Sequence, residues 1–392
     1  GVISAAGRTR EGTVERNLLG TLLGARDKTD DGAVTAVPEA EAPPPGRPGV
    51  VRPDNYPAKP PIAGPLESAP APALTTRTLP NGLKVMVVPN HEVPYVTIEL
   101  GLLTGGFADT KPGTAPLALA MLTKGTATHT EGELAEELET YAISLGGNAT
   151  LDYAAVSAGC LTEQLERAMG FLAEVVRTPT FPAEEFDKLR NQVRTGMTIR
   201  EQQPEYLADR QLRRVLFGDH PYARTADGEL KDVDALTVED LKQWWQTHAR
   251  PDAAVLILAG DIESDRAMQL VEAALGDWQA SGPRPAIELP PPPTHGPTHI
   301  YLVDRAGPQS QIRVGQLGIT RQHPGYFVSR VVSGYFGGAF SARLMETIRV
   351  KKGLTYGVGG GYSADRFAGK FIISTFSKTE STAEAVQAIL EE

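Results

Sequence analysis

Arg349 and Tyr356 stand seven positions apart, one carrying a guanidinium and the other a phenol. Both groups donate hydrogen bonds, and a pair of such donors on one side of a turn can stabilise an oxyanion. The same two residues also fit a plainer description: an arginine on a solvated helix face and a tyrosine in a sheet. The elements that must position them follow from their neighbours. Phe340, Leu344 and Ile348 recur at i, i+4 spacing, which predicts a helix with one apolar face. Gly353 suits the residue just past its end, and Lys351 and Lys352 suit its negative pole. A strand is expected from Leu354, carrying Tyr356 into the glycine-rich run 357–361. That run enters a strand rather than a helix, so it is not a phosphate cradle.

The stretch Gly337-Gly-Ala-Phe-Ser-Ala-Arg343-Leu, together with Lys352-Gly-Leu-Thr-Tyr356, resembles the second half of the pitrilysin/insulinase peptidases. Leu79-Pro-Asn-Gly-Leu-Lys-Val, Phe217-Gly-Asp-His-Pro-Tyr222, Gly260-Asp-Ile and Gln309-Ser-Gln-Ile are similar to further landmarks of that family, so the likeness covers about 76–392. It implies that Arg349 and Tyr356 are the pair that positions substrate. It also implies the inverted zinc motif H-x-x-E-H, in which two His bind the metal and the Glu polarises its water. In the family that motif stands just ahead of M-L-x-K-G-T. Here Met121-Leu-Thr-Lys-Gly-Thr126 fixes the register, and the five preceding residues are Pro116-Leu-Ala-Leu119-Ala120. Pro116, Leu119 and Ala120 occupy the His, Glu and His positions. The third ligand, a Glu in the family, would fall around Thr195-Gly196-Met197, where there is no acid. None of these side chains binds zinc, so the chain is expected to carry no metal of its own and this helix to be core.

Composition narrows the rest. With 392 residues, 41% hydrophobic and 22% charged, the chain suits two or three globular domains. A net charge of −10 without a basic run argues against a nucleic-acid partner. No apolar stretch of ~18 residues predicts a membrane span. Cys160, the single cysteine, sits in an apolar alternating run and reads as a buried structural thiol. His220, in His-Pro-Tyr, belongs to a loop and reads as structural. His91, His129, His248 and His323 are scattered without a nucleophile beside them. His295 and His299 are spaced H-x-x-x-H but lack a third ligand.

The expected architecture is α+β, with repeated lobes of antiparallel sheet covered by helices on one face. Residues 1–73 form a proline-rich arm with 12 of the 31 prolines between Pro38 and Pro72, and a short helix is possible at 13–24. A first lobe, 74–278, carries strands at 83–89 and 95–103 and a helix at 114–123. A capping box at Thr130–Glu133 opens a helix to about Leu145, and one or two strands follow over 148–161. Helices at 163–177, 183–201 and after Pro204 come next. A second capping box at Thr237–Asp240 opens a helix with Trp244 and Trp245; a strand at 253–259 and a helix ending at Trp278 close the lobe. A proline-rich linker spans 279–297. The second lobe, 298–392, repeats the order with strands at 299–303 and 311–317, a helix at 325–336, the Arg349 helix, strands at 355–363 and 367–376, and a helix from Glu380. It reads as partial, an apolar face of it is expected to be exposed, and the natural protein is expected to continue beyond Glu392.

In part of the family two similar subunits divide the work: one brings zinc and the general base, the other closes the chamber. The resemblance implies that this chain is the second kind. It would be inactive alone, paired with a homologous H-x-x-E-H subunit that holds the zinc, and would present Arg349 and Tyr356 to extended peptide substrates. Two alternatives stay open: an inert structural protein of the same fold, like the core subunits of respiratory cytochrome bc complexes, or the inert half of a longer single-chain peptidase. A periplasmic or secreted bacterial setting is expected, with a cytoplasmic one as the alternative.

Overall fold

The computed structural model describes residues 71–294, 296 and 298–392, Gly64, and the backbone of residues 2–5 and 7–9. The possible helix at 13–24 and almost all of the proline-rich tether lie outside the described residues.

The first sheet takes β3 (Thr75–Thr78), β4 (Lys84–Pro89), β5 (Tyr95–Leu102), β6 (Ser144–Ala149), β7 (Ala154–Leu161) and β8 (Ala254–Gly260) in the order β3-β4-β8-β5-β7-β6. Alternation decides which face is covered: Val96, Ile98, Leu100 and Leu102 of β5 are buried, while Tyr95, Thr97 and Glu99 face out. The sheet was expected to be antiparallel, but β8 runs parallel to β4 while pairing antiparallel with β5, so it is mixed. Such a strand must return from far along the chain, and here the helical region 165–248 intervenes.

Helices cover one face. α1 (Thr114–Met121), α2 (Glu131–Thr140), α3 (Leu165–Arg177), α4 (Ala183–Arg200), α5 (Pro204–Phe217), α6 (Leu230–Asp234), α7 (Val238–His248) and α8 (Ser264–Leu275) follow in order. α3 shows why: Leu165, Ala168, Met169, Leu172, Val175 and Val176 form one buried stripe against the sheet. Both predicted capping boxes are present, at Thr130/Glu133 and Thr237/Asp240. The first helix stops earlier than expected, however. Leu134, Leu138, Tyr141 and Leu145 continue a helical period in sequence, but Ala142 takes φ 52° and residues from Ser144 turn into β6. Gly147 lets that strand close on α1; a Cβ there would meet the Leu119 carbonyl oxygen at 2.6 Å.

The second sheet contains β9 (His299–Asp304), β10 (Gln309–Gly318), β11 (Val358–Ala364) and β12 (Gly369–Lys378), plus two strands from the chain start, β1 (Val2–Ala5) and β2 (Gly7–Thr9). Their order is β11-β12-β10-β1-β9-β2. α9 (Tyr326–Phe336), the Arg349 helix and α10 (Thr382–Glu391) accompany it, and Ile312, Leu344, Ile348, Val358, Ile373 and Ile389 form its core. Residues 279–294, 296 and 298 carry neither helix nor strand. They lie along the first lobe, where the Arg250 guanidinium donates to the Gly282 carbonyl at 3.2 Å.

The two lobes touch through polar contacts with named partners. The Arg313 Nε of β10 donates to Asp209 of α5 at 2.6 Å, with the Arg313 side chain 6% exposed. Asp152 accepts from the Tyr222 hydroxyl and from the Arg366 backbone N–H at 3.0 Å, and the Phe367 N–H donates to the Tyr222 oxygen at 3.2 Å.

Candidate functional site

The segment from Phe340 to Tyr356 does bring its two polar heads together, but by a different local geometry from the one its periodicity predicts. Leu344 and Ile348 are fully buried as expected, whereas Phe340 is 70% exposed and precedes the helix. Met345–Lys351 winds as a π-helix, with the Lys352 N–H reaching back to the Thr347 carbonyl at 3.1 Å. Wider winding of this kind occurs in short runs and is frequent at functional sites. Gly353, with φ 63°, ends it as the sequence predicts. The strand does not begin at Leu354. Thr355 Oγ1 donates to the Gly357 carbonyl at 2.9 Å and accepts from its N–H at 3.1 Å, a local turn that delays β11 until Val358. Tyr356 therefore sits at the turn's tip, 77% exposed.

The Arg349 guanidinium carbon lies 4.7 Å from the Tyr356 ring centroid and 4.6 Å from that of Phe340. Both rings lie within cation–π range of the guanidinium, a contact worth about 0.5–1 kcal/mol per ring at an exposed site. Among the described residues, neither the Arg349 guanidinium N–H groups nor the Tyr356 hydroxyl has a hydrogen-bond partner. Phe340 was read from the sequence as part of the helix's apolar face, so its place as the second ring beside the cation was missed.

The degenerate metal positions lie on α1. Leu119 is fully buried, and Pro116 and Ala120 are half-buried. Met197, where the third ligand would fall, is buried in α4, and Thr195 and Gly196 are exposed. Pro, Leu and Ala offer no side-chain lone pair, so these residues do not fit zinc. No group of three or more His, Cys, Asp or Glu side chains suited to a metal occurs among the described residues.

Asp109, which the sequence reading did not single out, caps α1: both carboxylate oxygens lie 3.2 Å from the Ala115 N–H. Burial pushes its carboxyl up to about 7, against the opposing pull of that N–H and of Arg224. Asp109 stands four residues before the Gly113 N-cap, outside the usual capping spacing, so nothing local in the sequence marked this contact or its burial.

The histidines stay apart. His220 is buried, and its Nδ1 accepts the Tyr222 N–H at 3.1 Å, a structural role in the loop. His91 pairs with Asp261 and His129 with Glu174. His248 lines a cavity of about 320 Å³ with Thr104, Phe107 and the linker residues 284–289; burial, then the nearby Arg250, lowers it to about 4. His299 lies in β9, and His295 lies outside the described residues. The Cys160 thiol is buried and raised to about 11 by that burial.

Residues 84–228 match the family model described as insulinase (peptidase family M16), and residues 235–392 match that of the peptidase M16 inactive domain. This chain belongs to the M16 peptidase family. A protein of Bacillus subtilis called uncharacterized zinc protease YmxG is 26% identical over 298 residues, 76% of this chain and 72% of that one. The non-peptidase homolog YmxG of Helicobacter pylori is 29% identical over 293 residues, 74% of this chain and 67% of that one. Among solved structures, the peptidase M16 inactive domain from Pseudomonas fluorescens superposes with a TM-score of 0.73 at 29% identity, covering 81% of this chain and 79% of that one. The periplasmic protease PqqL from Escherichia coli shares the fold, with a TM-score of 0.64 at 18% identity; 82% of this chain matches 38% of it. The M16 fold expected from the sequence is thus the fold observed, and the chain is an M16 member whose zinc-motif positions hold Pro, Leu and Ala.

Proposed function

We propose that this chain is the non-zinc-binding side of an M16 zinc peptidase, closing the peptide chamber and presenting Arg349 and Tyr356 to substrate held at a homologous partner's H-x-x-E-H site. The observation that carries this reading is the pair itself. The Arg349 guanidinium lies within cation–π range of both Phe340 and Tyr356, while its N–H groups and the exposed phenol keep their donors uncommitted within the chain. Unspent donors stabilise charge that develops only in a transition state. On this reading the partner's metal supplies the attacking water, and the peptide lies extended beside the two donors.

The test is reconstitution of the chain with a similar-sized M16 protein that co-purifies with it from its native source. Arg349→Ala or Tyr356→Phe is expected to lower turnover of the pair by about 10²–10³ with assembly intact, as loss of one such donor typically does. Wild-type turnover in both variants would overturn the assignment. A second reading, an inert family member, is favoured by the relative called a non-peptidase homolog. It predicts no M16 partner bearing the zinc motif. The partner half could also lie on the same polypeptide, as the two-half chain of PqqL illustrates.

A further inference from the structure

The cavity beside His248 is built by three separate stretches of chain. Leu103 and Thr104 follow β5, His248 ends α7 with Arg250 just after it, and linker residues 284–289 run across them. Two hydrogen bonds tie the linker down. Arg250 Nη2 donates to the Gly282 carbonyl at 3.2 Å, and Arg284 Nη1 donates to the Asp252 carbonyl at 3.4 Å. The volume of about 320 Å³ lies at the small end of ligand sites, with room for one blocked amino acid rather than a long peptide.

The wall combines apolar surface with unspent donors. Leu103, Phe107, Ile287 and Leu289 supply the apolar part. Arg250 is only 4% exposed, and its Nε and Nη2 are committed to Asp252 at 2.5 and 2.8 Å. Its Nη1 is buried with no partner among the described residues. A buried charged donor left unbonded costs stability, and an anionic acceptor removes that cost. His248 is uncharged near neutral pH, because burial and Arg250 lower it to about 4. The Thr104 hydroxyl lies 3.4 Å from its Nδ1. A hydroxyl hydrogen given to Nδ1 leaves the ring hydrogen on Nε2, which has no partner among the described residues either. Arg284 adds an exposed cation from the linker. Glu288 opposes these donors, but it is exposed and its charge is screened by solvent.

We propose that this cavity binds a small monocarboxylate with an apolar body, the carboxylate taken by Arg250 and His248 and the body by Phe107, Ile287 and Leu289. Because linker residues form part of the wall, an occupant also fastens the linker to the first lobe. The same chemistry is offered by a free organic acid and by the last residue of a peptide. The proposal is independent of any proteolytic role for Arg349 and Tyr356, which belong to the second lobe.

Calorimetric titration of the full chain tests it, with N-acetyl-phenylalanine, the amide of that compound, and the peptide Gly-Gly-Gly-Phe. The acid is expected to bind saturably, one to one, and the amide about tenfold more weakly or not at all, as loss of a hydrogen bond between charged groups dictates. Binding of the peptide as tight as that of the acid assigns the site to a peptide's end, and binding of the acid alone assigns it to a small acid; either supports a carboxylate site. Arg284→Gln is expected to weaken binding of the acid about threefold and Glu288→Gln to tighten it by about as much, both at exposed positions that leave the fold alone. Ala253→Leu fills the cavity without touching a charge and is expected to abolish binding in a chain that keeps its native circular dichroism. Hydrogen exchange across 284–289 is expected to slow when the acid is added to the wild type. No saturable binding to the wild type, equal affinity for acid and amide, or wild-type affinity in Ala253→Leu would overturn the proposal. So would identical affinities in Arg284→Gln and Glu288→Gln, a comparison that stands even where Ala253→Leu fails to fold.

Discussion

α1 and α9 hold equivalent places in the two lobes, each following a strand pair and preceding a second, yet they meet opposite surroundings. On α1, Ala115, Leu117, Ala118, Leu119 and Met121 are buried in one continuous core with the Trp244 and Trp245 side chains of α7. On α9, Phe327, Val331 and Tyr335 are 70% exposed or more, and Ser329 is its one buried residue. The second lobe has no described counterpart of α4–α8 over its α9 face. The difference teaches what happened at the metal positions. A helix that holds catalytic metal keeps polar side chains at a chamber wall; α1 has instead become packing.

Restoring the motif is the strongest way to break that contrast. Pro116→His, Leu119→Glu and Ala120→His together would recreate H-x-x-E-H in sequence. Leu119 is fully buried against β6, so its replacement puts an unpaired carboxyl into core. The expected cost is at least roughly 3–5 kcal/mol, in the range of an uncompensated buried charge. The triple variant should lose first-lobe stability in chemical denaturation and gain no tight zinc site, because Thr195, Gly196 and Met197 supply no third ligand. Stoichiometric zinc binding with wild-type stability would show that α1 is still a metal helix.

A smaller effect comes from the cap of the same helix. Burial raises Asp109 to about 7 in the folded chain, against about 3.9 for a free aspartate. The folded state therefore binds the proton more tightly. Asp109's contribution to stability is full below about pH 4, declines as pH rises toward 7, and is level above. Asp109→Asn keeps a capping acceptor and removes the titration. Relative to that variant, the wild-type Tm should fall between pH 4 and 7. Parallel Tm curves across that window would mean that Asp109 does not titrate as a buried acceptor for the Ala115 N–H of α1.

Much of this contrast was legible in the residues. The capping boxes at Thr130 and Thr237 are local hydrogen-bond patterns and came through intact. The strand read at 95–103 and the helix read at 163–177 are present as β5 and α3, each with one buried face. The pairing of β1 with β9 and β10 was not legible, since nothing local records which distant edge a four-residue strand will join. At the candidate site, the spacing of Arg349 and Tyr356 was readable. The π-winding after Leu344 and the outward turn of Phe340 were not, because a helical period counts residues and is blind to one extra residue in a turn.

The smallest expected effect sharpens the comparison from the other side. Leu117 is 2% exposed on α1, and Val331 is 74% exposed on α9. Valine and asparagine have similar helix propensities, so Val331→Asn tests burial and little else. On an open face it should change stability by no more than about 0.5 kcal/mol, as surface substitutions do. Leu117→Asn removes a buried side chain of α1 and leaves an amide in its place, a loss in the range of about 2–5 kcal/mol. Urea midpoints at equal m-values read the two directly. If Val331→Asn costs as much as Leu117→Asn, the α9 face is buried in solution, and the two helices differ in what covers them rather than in whether they are covered. A large rise in solubility with an unchanged midpoint would instead fix α9 as an open apolar surface, of the size that drives association between molecules.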